Sequence, residues 1–193
     1  MTATPLTPKL SLADRVAFGV IAGLAGLLGV LAVGDGIWRT IALGVGAGPV
    51  DLIAFAPLPD NVGHITGATV TSDAIGEGAR ALLVTASAIS LVVAAVISGV
   101  VVLFLVMTSR GTPFHRVLHP AVLTTGLVMT LGGILSAGID GLGRMMAGGD
   151  LGEPYQMAFE LSLGPWAFGF VVLAAAYVIR AGERLQRDTE GLV

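Results

Sequence analysis

The chain has no cysteine. That excludes disulfides, thiolate metal sites and thiol nucleophiles, and it leaves the redox compartment unmarked. Charge is scarce too: 12% of residues are Asp, Glu, Lys or Arg, about half the quarter usual for a soluble domain. The net charge is −3, so no overall basic field points to nucleic acid, and no direct nucleic-acid partner is expected. Gly44–Gly48 matches a phosphate-binding loop only in composition and lacks its Lys-Ser/Thr ending. No spacing suggests a Ser-His-Asp set. Neither catalytic residues nor a cofactor is expected, so the chain reads as non-enzymatic.

Apolar surface fills the space that charge leaves. Hydrophobic residues make up 54% of the chain and the mean hydropathy is +0.89, the composition of an integral membrane protein. Four uncharged runs stand out: 16–34, 81–108, 121–139 and 161–179. At about 1.5 Å of rise per residue, each suffices for a hydrocarbon core of roughly 30 Å. The first run is longer than the roughly 7–15 apolar residues of a signal peptide, so it is expected to persist as an uncleaved helix. Glycine is abundant, at 28 residues. Gly19, Gly23 and Gly26 repeat small residues at spacings of three and four, which suits close helix packing within the bundle or against a second copy of the chain.

The polar segments divide the runs. Residues 35–80 form a long loop in which 50–56 and 64–71 are rich in β-branched residues. Pro57-Leu-Pro-Asp-Asn61 between them signals a turn, so a small β-hairpin is expected there. Ser72-Asp73 reads as the cap of the second helix. Residues 109–120 make a basic turn, and 140–160 a second polar loop broken at Gly148-Gly149 and Pro154. The expected fold is one membrane domain over 1–193: all-α, with four transmembrane helices in a bundle and a β-hairpin-containing extracytoplasmic loop between helices 1 and 2.

Cations set the expected orientation. Lys9, Arg15, Arg110, Arg116, Arg180, Arg184 and Arg187 share one side, and only Arg39, Arg80 and Arg144 share the other. The positive-inside rule then puts both termini in the cytoplasm, in the inner or plasma membrane.

Few residues invite chemistry. His115 and His119 lie four apart on one helix face, a spacing compatible with a metal, but no Glu, Cys or further carboxylate completes a ligand set. No metal is expected, and both read as interfacial residues. No ionisable residue falls inside the four uncharged runs, which argues against a proton-coupled transporter. Asp35, Asp140 and Glu160 read as solvated carboxylates at external helix ends.

Two segments resemble a known family. Arg110-Gly-Thr-Pro-Phe114, followed by further basic residues, and the closing Ala176-Tyr-Val-Ile-Arg-Ala-Gly-Glu-Arg-Leu-Gln-Arg-Asp-Thr-Glu190 look like the DUF2975-type family of small bacterial membrane proteins. The turn departs from that pattern over His115–His119, where the family often shows Thr-x-x-Asn. The resemblance implies a four-span layout and a membrane address, with no established activity. Together with the basic cytoplasmic face, it leads to an accessory or regulatory protein that binds the lipid bilayer and a protein partner in the membrane or cytoplasm. Arg110, Pro113, Phe114, Arg116, Arg184 and Arg187 are the candidate partner-binding residues. The alternatives are a small transporter or channel component, as a homo-oligomer, and a lipid-binding or envelope-stress protein using its external loop.

Overall fold

The structure, a computed structural model, describes residues 12–57, 64–109, 117–162 and 164–190. Among these, four helices carry the fold: α1 (Leu12–Gly44), α2 (Glu77–Ser109), α3 (Leu118–Leu151) and α4 (Gly164–Glu190). Four short strands lie between α1 and α2: β1 (Val50–Leu52), β2 (Ala56–Pro57), β3 (His64–Ile65) and β4 (Ala68–Val70). The stretches Val16–Gly44, Glu77–Ser109 and Leu118–Leu151 are each long and apolar enough to cross a membrane, whereas the apolar part of α4, Trp166–Gly182, is shorter.

The helices form a row of antiparallel neighbours. Gly29 of α1 lies opposite Ser98 of α2, and Gly36 opposite Leu91. Gly132 and Gly143 of α3 lie opposite Val93 and Leu83 of α2, while Gly126 and Gly133 face Leu173 and Trp166 of α4. Among the described residues, α1 packs on α2 and makes at most marginal contact with α3 or α4. A Cβ on Gly133 would meet the Trp166 Cβ at 2.9 Å, so the absent side chain is what lets α3 and α4 approach so closely.

The expected β-hairpin is present as a broken ribbon. β1 pairs antiparallel with β4, Val50 opposite Val70 and Leu52 opposite Ala68, and β2 pairs with β3 through Ala56 and Ile65. Val50 and Leu52 point inward and Asp51 outward, the alternation of a strand with one buried face. The expected turn at Pro57–Asn61 lies largely outside the described residues. A strap over 152–160 joins the ribbon edge: Phe55 N–H donates to Pro154 O at 3.0 Å and Gln156 N–H to Ile53 O at 2.9 Å.

Burial concentrates at this end of the row. Leu43, Val50, Leu52, Ile75, Ala79, Leu83 and Ala147 form one core cluster, with Val70, Leu151 and Tyr155 against it. The ribbon therefore works as a cap seated on three helix ends. The outer faces of the helix middles are bare by contrast: Leu24, Leu27, Leu28 and Leu31 of α1, Leu131 and Leu135 of α3 and Phe170, Val171 and Val178 of α4 are exposed. In water each such side chain would forfeit about 1.5–3 kcal/mol of burial.

Helix ends depart from the sequence expectation in four places. α1 runs to Gly44 rather than stopping near Gly34, passing through Asp35, Trp38 and Arg39. α3 runs to Leu151, so Gly148-Gly149 lie inside a helix and the loop expected over 140–160 begins only at Gly152. The strap crosses closely over this stretch: Gly148 faces Gln156 O and Gly141 faces Glu160 O, where larger residues would not fit. α2 begins at Glu77 with no cap from Ser72-Asp73. The Ser72 hydroxyl instead accepts from Ala74 N–H, and Asp150 Oδ2 of α3 accepts the Gly76 N–H at 2.8 Å. That carboxylate faces the positive end of the α2 dipole. The fourth run begins as extended chain at Leu161, and its helix starts at Gly164.

Gly46 terminates α1. Its φ is +79°, Ala47 N–H bonds Ala42 O and Gly46 N–H bonds Leu43 O, the paired bonds of a Schellman stop. Gly46→Ala forces an L side chain into left-handed backbone and sets its Cβ 2.7 Å from Arg80 Nη1. We expect a loss of about 1–2 kcal/mol and a lower thermal midpoint in detergent, with Gly34→Ala, whose Cβ meets open space, unchanged. Equal midpoints would contradict this account of the helix end.

Candidate functional site

Three stripes of helical spacing converge below the cap. Ala32, Asp35, Gly36, Arg39 and Leu43 form the α1 stripe. Leu83, Ser87, Ser90, Ala94 and Ile97 form that of α2, and Met129, Gly133, Ser136, Asp140 and Arg144 that of α3. Ser162 and Phe168 close one side. Together they line a cleft of about 560 Å3, within the roughly 300–1,000 Å3 range of small-molecule sites. Contact of α1 with α3 or α4 is at most marginal among the described residues, and the space between these helices is open. At about 1.5 Å per residue, the lining runs roughly 20 Å down α2 and α3.

The cleft is graded along that length. Arg39, Asp140 and Arg144 lie nearest the cap with Ser87, followed by Asp35 with Ser90 and Ser136, and then Ala32, Ala94, Ile97 and Met129. Two ion groups behave differently. Arg144 Nε donates to Asp140 Oδ2 at 2.6 Å, one helical turn away. Its Nη1 donates to Asp51 O of β1 at 3.2 Å and lies 4.0 Å from Asp51 Oδ2. Asp51 in turn accepts from Thr69 Oγ1 at 2.6 Å, so Arg144 ties α3 through β1 to β4. Across the cleft, Asp35 and Arg39 are exposed and make no hydrogen bond or ion pair among the described residues. Thr40 beside them bonds Ser87 Oγ at 2.8 Å, which fixes α1 against α2. Within α2, Ser98 bonds back to Ala94 O at 2.8 Å.

The sequence candidates fall elsewhere. Arg110, Pro113, Phe114 and Arg116 lie outside the described residues, as does His115. Arg184 and Arg187 lie on the last turns of α4, with side chains outside the described residues. Gly19 and Gly23 face open space, while a Cβ on Gly26 would sit 3.7 Å from Val102. Among the described residues, no group of three His, Asp or Glu could hold a metal.

Asp35 and Asp140 are brought to one cleft, but well inside their helices rather than at the ends. Glu160 is separate, in a surface pocket with Asp51 and Thr66–Thr69. The sequence carried a signal for the cleft in the spacing of four between Asp35 and Arg39 and between Asp140 and Arg144. Each pair lies on one helix face. No protein-family model, curated protein or solved structure matches the chain.

Arg144→Met removes the tie between α3 and the cap while keeping most of the side-chain volume. We expect a loss of about 1–2 kcal/mol, the range for a partly exposed, charge-assisted bond, and faster proteolysis within 50–70. Unchanged cleavage would show that the cap is held by its apolar core alone.

Proposed function

We propose that this chain is a non-enzymatic multi-pass membrane protein that works by binding a ligand in the cap-end cleft. Its four helices span the bilayer, with the cap outside and both termini in the cytoplasm. The charge asymmetry and the exposed apolar helix middles support that placement. The segments resembling the DUF2975-type family, Arg110–Phe114 and Ala176–Glu190, fit the same layout in a bacterial cell membrane. The basic cytoplasmic face then serves as the docking side for a protein partner, giving an accessory or regulatory role.

One observation carries the binding reading: the cleft changes character where a bilayer boundary would fall. About 20 residues of helix span the hydrocarbon. Counted from Val16 up α1, they end at Asp35. From Ala121 up α3 they end at Asp140, and from Ser109 back along α2 at Ser90. All three residues line the cleft. Its charged part thus lies at head-group depth and its apolar part within the hydrocarbon. Apolar lining below Asp35 favours a pocket over an ion path.

Protein extracted gently from its own membrane should carry a small bound molecule in native mass spectrometry. Ala94→Trp, which fills the lower cleft, should lose it. A wild-type protein with no bound mass, or one that conducts ions in liposomes, would contradict the reading. The absence of cysteine makes topology directly measurable. Thr66→Cys in the cap should react with an impermeant maleimide on intact cells and Gln186→Cys should not; the reverse pattern would invert the assignment.

A further inference from the structure

We infer that the cleft takes one membrane amphiphile whose head group carries a cation and an anion and is neutral overall, a phospholipid of the phosphoethanolamine type. The inference rests on the reading above, that the chain is a membrane protein with a ligand cleft. Its own basis is the distribution of charge and openness.

The cleft holds two Arg and two Asp, so its lining sums to no net charge. A purely anionic head group meets Asp35 and Asp140, and a purely cationic one meets Arg39 and Arg144. Both are disfavoured by like-charge contacts. Asp140 and Arg144 already satisfy each other at 2.6 Å. Asp35 and Arg39 do not: they stand one helical turn apart on the same face, exposed and without partners among the described residues. A zwitterion matches that pair, its ammonium on the Asp35 carboxylate and its phosphate on the Arg39 guanidinium, whose planar fork suits phosphate oxygens.

The tail has a place as well. The lining below Asp35 is apolar or small, down to Ile97. Among the described residues α1 makes at most marginal contact with α3 or α4, and the cleft they line is open rather than enclosed. An amphiphile can therefore enter from the bilayer laterally and leave most of its chains there, so a cleft of about 560 Å3 need hold only the head group and the first part of a chain. A free solute would gain nothing from that opening.

The test uses the full chain, delipidated in detergent, titrated with phosphatidylethanolamine, phosphatidylglycerol or diacylglycerol. Bound lipid is counted by native mass spectrometry and stabilisation is read as a shift in thermal midpoint. Phosphatidylethanolamine should bind one to one, with an affinity at least about tenfold above the other two, the discrimination of one charge-assisted contact. Asp35→Asn and Arg39→Gln should each erase that preference while leaving the lipid-free midpoint unchanged, because neither side chain has a partner among the described residues to lose. Binding that ignores the head group, prefers the anionic lipid or survives both substitutions overturns the zwitterion assignment while leaving the ligand cleft standing. Failure of all three lipids to bind or stabilise overturns both.

Discussion

Arg144 is the residue on which the arrangement of charge depends. It neutralises Asp140 on its own helix and reaches Asp51 of β1, so one guanidinium both silences the α3 side of the cleft and seats the cap. The consequence appears on the other wall. Asp35 and Arg39 have no equivalent partner among the described residues, and the same fold that satisfies α3 leaves α1 with a carboxylate and a guanidinium facing shared space. A structure optimised only for stability would have paired them with each other or across the cleft. Unpaired groups in a concave site are where binding energy remains to be gained.

The rest of the architecture serves that asymmetry. Core burial is concentrated beneath the cap, where Leu43, Ile75, Ala79, Leu83 and Ala147 meet β1. The helices below rely on close backbone approach rather than on interlocked large side chains, as at Gly29 against Ser98 and Gly133 against Trp166. Such packing suits helices whose outer faces are solvated by lipid, since a bilayer offers no hydrophobic gain for bringing apolar side chains together. The result is an upper end packed around one core and a row of helices in which α1 and α4 share at most marginal contact among the described residues.

Much of this was legible in the residues. The four apolar runs marked the four helices, and the β-branched stretches around Pro57–Asn61 marked the ribbon. What failed was the reading of ends. In the sequence, Asp35 and Asp140 mark points where the chain should leave its helix, because a charge after an apolar run usually marks the interface. Both helices continue for two or more turns, their charges turned into the cleft. Gly148-Gly149 read as a breaker, whereas the strap needs those positions bare in order to cross α3. Cap residues came from the wrong place for a related reason: Asp150 lies 74 residues from the Gly76 N–H that it accepts, and no local pattern reveals such a partner. The cleft itself needed the order of helix packing, which the sequence does not specify. The two i, i+4 Asp–Arg pairs were visible, but not that they would face each other.

The central claim is that the cleft straddles the membrane boundary, with Asp35 and Asp140 at head-group depth. Single spin labels placed along the exposed face of α1 at Leu24, Leu28, Leu31 and Trp38, and just past its end at Val45, in the otherwise cysteine-free chain, would test it in reconstituted bilayers. Collision rates with oxygen should peak near Leu24 and Leu28, and those with a water-soluble nickel chelate should rise from Leu31 to Val45, the two crossing near the level of Asp35. Nickel accessibility that is uniform along α1, or highest at Leu28, would contradict the account.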